Sequence, residues 1–118
     1  MECTPTNLLG DLEFLSVLNQ RATEGRIPVS GGMDITARCN LRCIHCYLSC
    51  GQNGAKEPDD LPFAKVTGIM DQCAGAGCLF FLMTGGEPLV RNDFPELYIH
   101  AKKLGRLVTV FTTGVLVN

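Results

Sequence analysis

The chain has 118 residues, 46% of them hydrophobic, which predicts one soluble domain with a modest core. Its 10 basic and 12 acidic residues give a net charge of −2, so the charge balance favours neither nucleic acid nor an anionic membrane as a partner. The N-terminus lacks the basic segment of a signal peptide and the longest apolar run, Cys78 to Met83, is too short to span a bilayer, so we expect a cytoplasmic protein.

Hydrophobic periodicity and turn-forming residues divide the chain into alternating helices and strands. Gly25 and Pro28 end the first helix and begin a linker that runs through Gly31 and Gly32. The polar residues 50–60 form a loop. The predicted elements are a helix over 8–22, a strand over 33–37, a helix over 62–76, a strand over 79–84, a helix over 94–104 and a strand over 107–113.

This alternation predicts an α/β fold with a parallel sheet, in which active sites gather at the carboxyl ends of the strands. Three features fall at those ends: the cysteine loop after the first strand, Gly85-Gly86-Glu87 after the second, and Thr112-Thr113-Gly114 after the third. We expect them to form one site. We divide the chain into an N-terminal helix and linker (1–30) and a domain (31–118) that we expect to be the front part of a larger one.

Three thiols with CxxxCxxC spacing, Cys39, Cys43 and Cys46, are the strongest motif. Thiolates from one short loop can hold three irons of a 4Fe–4S cube and leave the fourth open to an exogenous ligand. Two alternatives stay open. In the first, the three thiols and Cys50 lie on one side of a helix and are buried as small apolar residues. In the second, Cys50 or His45 completes a tetrahedral zinc site with the three thiols.

Gly85-Gly86-Glu87-Pro88 is either a plain turn or a place where a ligand approaches the backbone, with Glu87 offering a carboxylate to a cationic amine. The hydroxyls of Thr112 and Thr113 contact a ligand or pair with the backbone. Other polar or thiol side chains have plainer interpretations. We expect core thiols at Cys73 and Cys78, a solvent-facing or hydrogen-bonded His100, and a solvated basic face at Lys102, Lys103 and Arg106.

Together these residues resemble the radical S-adenosylmethionine (radical SAM) enzymes. Cys39-x-x-x-Cys43-x-x-Cys46 is similar to the cluster motif of that family and Gly85-Gly86-Glu87-Pro88 to its GGE motif. The segment from Thr112 to Leu116 resembles its Thr-Asn-Gly-aliphatic segment, with Thr113 where the family usually has Asn. His45 stands where the family often has an aromatic residue beside the adenine of S-adenosylmethionine.

The resemblance implies a partial (β/α) barrel of the TIM-like radical SAM type, with about the first three βα units present. It implies a 4Fe–4S cluster on Cys39, Cys43 and Cys46, and S-adenosylmethionine bound to the remaining iron. The implied S-adenosylmethionine contacts are Gly85, Gly86, Glu87, His45, Tyr47 and Thr113, with Glu87 and the glycine backbone holding the ammonium group. The role of Cys50 stays open, and no catalytic residue is assigned.

The implied activity is one-electron cleavage of S-adenosylmethionine to a 5′-deoxyadenosyl radical that abstracts a substrate hydrogen. An external donor such as flavodoxin or ferredoxin would supply the electron. The residues around the cysteines resemble those of the peptide-modifying and cofactor-maturing branch of the family, so a peptide is one candidate substrate. We expect this segment alone to turn over poorly. The alternatives from other classes are a zinc-stabilised binding module and a simple iron–sulfur electron carrier.

Overall fold

The structure is a computed structural model that describes residues 8–48 and 59–117. Within these residues, three α-helices and three β-strands alternate, and one short 3-10 helix follows the second strand. In chain order these are α1 (Leu8–Gly25), β1 (Ser30–Asp34), α2 (Phe63–Gly75), β2 (Phe80–Thr84), the 3-10 helix (Pro88–Val90), α3 (Phe94–Lys103) and β3 (Leu107–Val110). None of the helices in this described part is long and apolar enough to cross a membrane.

The three strands form one parallel sheet in the order β1-β2-β3. Met33 lies opposite Met83, and Phe81 lies opposite Val108. Because α2 connects β1 to β2 and α3 connects β2 to β3, all three strands run the same way and their carboxyl ends share one edge. The predicted α/β class and parallel sheet are confirmed.

The core lies on the side of the sheet that α2 and α3 cover. Along β2, Phe81 and Met83 are buried while their neighbours on the opposite face are only half-buried, as the twofold alternation of a strand requires. Helices α2 and α3 contribute the other large members of the core, among them Val66, Met70 and Leu97. The predicted core thiols are confirmed, since Cys78 is buried and Cys73 packs against the same cluster.

Two strand boundaries differ from the prediction. The first strand is displaced towards the N-terminus because Gly31 and Gly32, expected in a linker, pair with Phe81 and Leu82 in the parallel ladder. The third strand ends at Val110 rather than at residue 113. Thr112 and Thr113, which were expected at its end, are hydrogen-bonded to the side chain of Glu87 instead.

The surface residues gave one correct prediction and one wrong one. His100 is hydrogen-bonded to Asp71, with 2.7 Å between Nε2 and Oδ1, as expected of a satisfied histidine. Arg106 was expected on a solvated face but is buried, with its guanidinium carbon 4.1 Å from the ring centroid of Phe81. The prediction failed because the stacking of a cation on an aromatic ring leaves no sequence periodicity.

Candidate cofactor site

A cavity of about 430 Å³ lies at the carboxyl ends of the strands. It is lined by residues from the end of the cysteine loop, from the end of β2 with the glycines after it, and from the end of β3 with the threonines after it. These residues are Tyr47, Thr84, Gly85, Gly86, Val110, Phe111, Thr112 and Thr113. The three segments that follow the strands therefore meet at one cavity, which is where a parallel α/β sheet ordinarily binds ligands.

The cysteine loop leaves β1 and forms no helix between residues 36 and 48, so its thiols do not follow one side of a helix. Cys39 and Cys46 are half-buried, and Cys43 is exposed. The amide of Cys46 donates to the carbonyl of Cys43 over 3.2 Å, and the amide of Leu41 donates to Sγ of Cys39 over 3.4 Å.

The donor chemistry of this loop fits an iron–sulfur cluster. No disulfide joins any two of the described cysteines. Among residues 8–48 and 59–117, no three Cys, His, Asp or Glu side chains lie close enough to hold one metal ion. The thiolates of a cubane each bind a different iron, so they need not converge on a single point. Cys50, which sequence reasoning left open as a further ligand, lies outside the described residues.

The backbone at Gly85 and Gly86 is in close contact with the backbone of residues 36–38, just before the first cysteine. The amide of Gly86 donates to the carbonyl of Thr36 and the amide of Glu87 to the carbonyl of Arg38, both over 2.9 Å. A Cβ added at Gly85 would overlap the carbonyl oxygen of Thr36, and one at Gly86 would overlap that of Arg38. Gly85 also has a φ of +144°, which other residues rarely adopt. The glycines are therefore required by contact between the two motifs.

Glu87 is fully buried behind these glycines, with no exposed surface. Its Oε1 accepts hydrogen bonds from the amide of Leu89 at 3.0 Å and the hydroxyl of Thr112 at 2.7 Å. Its Oε2 accepts from the amide of Thr113 at 2.8 Å and the hydroxyl of the same residue at 2.7 Å. Burial raises the pKa of Glu87, but these hydrogen bonds together lower it by a larger amount, so the pKa lies below its ordinary value.

Asp60, just before α2, is hydrogen-bonded to the start of the cysteine loop. Its carboxylate accepts from the hydroxyl of Thr36 at 2.6 Å and from Nε and Nη2 of Arg38 at 3.0 and 2.6 Å. Burial raises the pKa of Asp60, and the hydrogen bonds from Arg38 and Thr36 outweigh it, so the pKa is lowered. Sequence reasoning missed this contact. The only sequence signal for it was an arginine just before the cysteines and an aspartate after them, which could form an ion pair.

Arg91 makes a second connection beneath the same loop. Its buried guanidinium donates to the carbonyl of Ile35 at 2.8 Å and, from both terminal nitrogens, to the carbonyl of Leu61 at 3.1 Å. Nε and Nη2 also form a bidentate pair with the carboxylate of Asp93. Asp93 occupies the cap position of α3 but makes no side-chain cap hydrogen bond. Its carboxylate is engaged by Arg91 instead.

The structure brings together four of the six predicted S-adenosylmethionine contacts. Tyr47, Gly85, Gly86 and Thr113 line the same cavity. The other two lie elsewhere: His45 is exposed, and Glu87 is buried behind the wall. The cofactor roles of all six, and of the three cysteines, stay predictions.

Comparison with known proteins gives matches in both sequence and structure. Fe-coproporphyrin III synthase of Methanosarcina barkeri is 33% identical over 85 residues, which are 72% of this chain and 21% of that protein. PqqA peptide cyclase of Xanthomonas oryzae pv. oryzae is 35% identical over 88 residues, 75% of this chain and 23% of that protein. The chain thus spans between a fifth and a quarter of the length of these curated relatives.

A structural match is SuiB of Streptococcus suis, whose crystal structure contains the precursor peptide SuiA. The TM-score is 0.67 at 21% identity, and the match covers 100% of this chain and 27% of SuiB. At this identity the likeness bears on the fold alone, and it confirms the predicted partial (β/α) barrel. The sequence model of the radical SAM superfamily matches residues 33–118, a segment that contains the cysteine loop, the Gly85-Gly86-Glu87 segment and the threonines after β3. The chain therefore belongs to the radical SAM superfamily.

Proposed function

We propose that this chain binds a 4Fe–4S cluster through Cys39, Cys43 and Cys46 and binds S-adenosylmethionine in the adjoining cavity. The observation that carries the proposal is the meeting of the three post-strand segments around one cavity of about 430 Å³. This volume is in the range of small-molecule sites. The three thiols lie on the loop that ends in Tyr47, which forms part of the cavity wall.

The residues of the chain bind and orient the ligand, while the bound groups supply the chemistry. When bound, the cluster and S-adenosylmethionine would supply one-electron cleavage to a 5′-deoxyadenosyl radical for hydrogen abstraction. The peptide groups of Gly85 and Gly86 border the cavity without side chains, so a methionyl group can approach the backbone closely. Tyr47 lines the cavity and offers an aromatic ring to the adenine. His45, two residues before it, would have to turn towards the cavity to take the same role.

We propose peptide modification or cofactor maturation as the reaction class, with a flavodoxin or ferredoxin as the electron donor. The support is that the names of the relatives include a peptide cyclase and a coproporphyrin synthase, and that SuiB was crystallised with a precursor peptide. Because the chain spans less than a quarter of these two relatives, the choice of substrate is the part of the proposal with least support.

The test is anaerobic reconstitution with iron and sulfide, followed by absorbance and EPR spectra of the reduced protein. We expect a cluster in the wild type and a changed EPR signal when S-adenosylmethionine is added. Cys43→Ala should abolish cluster assembly because it removes one of three thiolates. Cys73→Ala is the matched control, since Cys73 packs against the core and should leave the cluster intact.

Four results would contradict the proposal in different ways. A full cluster in Cys43→Ala would refute the ligand assignment, and equal loss in Cys50→Ala would indicate a four-thiolate site. An EPR signal unaffected by S-adenosylmethionine would indicate an electron carrier. Stoichiometric zinc without any cluster would indicate a binding module.

A further inference from the structure

We propose that Glu87 is a positioning residue: its carboxylate holds Thr112 and Thr113 as one wall of the cofactor cavity and does not itself contact the ligand. The inference rests on the proposed function of the cavity. It concerns the residue whose carboxylate the sequence predicted to bind the ammonium group of S-adenosylmethionine. The argument depends on the acceptor capacity of Glu87, on its burial and on what it does to the two threonines.

The acceptor capacity of the carboxylate is already used. An ionised carboxylate has about four lone-pair positions. Glu87 accepts four hydrogen bonds, two at each oxygen, from Leu89, Thr112 and Thr113 at distances between 2.7 and 3.0 Å. An incoming ammonium group would have to replace one of these donors rather than fill a vacant position.

The carboxylate is also out of reach. Glu87 has no exposed surface, and it is not among the residues that line the cavity, although both threonines are. A buried carboxylate is tolerated only when it is paired or hydrogen-bonded, and here the donors come from within the chain. The four hydrogen bonds thus explain how Glu87 stays ionised and buried without a cationic ligand.

What the carboxylate does is to fix a segment that the sheet does not hold. The ladder of β3 ends at Val110, and the amide of Phe111 makes the last backbone hydrogen bond to β2, at the carbonyl of Met83. Beyond it, Thr112 donates its hydroxyl to Glu87 and accepts from the amide of Gly114 at 3.1 Å. Without Glu87 this segment would lose three of its hydrogen bonds.

The contact also sets the chemistry of the wall. The hydroxyl hydrogen of Thr113 is donated to Glu87, so the oxygen of that hydroxyl can only accept a further hydrogen bond. A wall residue that only accepts selects ligand groups that donate, such as a ribose hydroxyl, which both ligands of the test carry. Glu87 would therefore affect ligand binding indirectly, by fixing the orientation of the Thr113 hydroxyl.

The test measures dissociation constants of the reconstituted protein for S-adenosylmethionine and for an analogue that lacks the amino group. If Glu87 positions the wall, Glu87→Gln weakens both ligands by the same factor, about tenfold or more, because the amide cannot accept all four hydrogen bonds. If Glu87 binds the ammonium directly, the loss is confined to S-adenosylmethionine. A loss for S-adenosylmethionine at least tenfold greater than for the analogue would overturn the inference.

A second pair of variants covers the case in which Glu87→Gln does not fold. Thr112→Val removes one donor to Glu87 and should weaken both ligands, whereas Thr112→Ser keeps the hydroxyl and should restore them. Equal binding by the valine and serine variants would overturn the inference. If the wild-type protein takes up a cluster but binds neither ligand, the proposed S-adenosylmethionine site is refuted, and the inference about Glu87 is refuted with it. A loss confined to S-adenosylmethionine, with the analogue still bound, refutes only the role of Glu87 and leaves the cavity in place.

Discussion

At the scale of single residues, three carboxylates near the carboxyl ends of the strands are hydrogen-bonded within the chain. Glu87 and Asp60 each accept several hydrogen bonds, and Asp93 is bound in a bidentate pair by Arg91. All three carboxylates have a lowered pKa: hydrogen bonds outweigh burial at the first two, and the pair with Arg91 is the main cause at Asp93. The folded chain therefore prefers them ionised, and its stability depends on pH.

We expect the free energy of unfolding to fall as the pH drops below about 4.5, the ordinary pKa of a glutamate. A lowered folded-state pKa means that the unfolded chain takes up the proton first, so the stabilisation is present above the unfolded value and is lost as the pH falls through the folded one. Urea midpoints measured between pH 7 and pH 3 test this. Asp60→Asn should flatten the acid limb, and the exposed Glu96→Gln should not. Identical curves for the two variants would contradict the explanation.

A second prediction at this scale concerns the glycines. Gly86→Ala should lower the free energy of unfolding by about 2 kcal/mol or more, because the added methyl overlaps the carbonyl of Arg38 and the backbones must separate. Gly68→Ala is the control: it lies inside α2 with no atom within 4 Å of the added Cβ, so it should raise stability by up to about 1 kcal/mol. Equal urea midpoints for these two variants would refute the backbone contact.

At the scale of elements, the helices and the central strand were predictable because their patterns are local. β2 is a nearly continuous apolar run, and α3 has apolar residues at helical spacing. What the sequence could not indicate was decided by pairing across the chain. Gly31 and Gly32 join a strand only because β2 lies beside them, and the threonines leave β3 because Glu87 binds them.

The candidate site was predictable to the same extent. Its motifs and their meeting at the strand ends follow from spacing and from the rule for parallel sheets. The hydrogen bonds that Asp60 and Arg91 make beneath the site could not be predicted in this way, since each joins residues more than twenty positions apart. Hydrogen bonds of that range leave no periodicity in a single sequence.

The loop contact of Asp60 gives a prediction at the scale of elements. Asp60→Ala should lower the free energy of unfolding by about 1–2 kcal/mol and speed tryptic cleavage after the exposed Arg42, because the start of the cysteine loop loses its hydrogen bonds to Asp60. Cleavage is followed by mass spectrometry. Asp71→Ala, which removes an exposed pair with His100, should change neither quantity appreciably. Matching cleavage rates in the two variants would show that Asp60 does not restrain the loop.

At the scale of the whole molecule, packing and binding are on different parts of the sheet. The described helices α2 and α3 bury one face, and the cavity lies at the edge where the strands end. The face opposite the helices carries half-buried and exposed side chains, with Phe111 at its end being 62% exposed. A cavity bordered by that face is open on the side where a partner of the cofactor, such as a substrate, would approach.

The hydrogen bonds from Gly86 to Thr36 and from Glu87 to Arg38 have a thermodynamic consequence. They join the two motifs through main-chain atoms that also extend the pairing of β1 with β2, so the site cannot come apart without loosening the sheet. Occupancy and folding are then linked equilibria. A ligand present at a hundred times its dissociation constant would add about 2.7 kcal/mol to the stability of the whole domain. For this chain, resistance to unfolding becomes a measure of what the cavity holds.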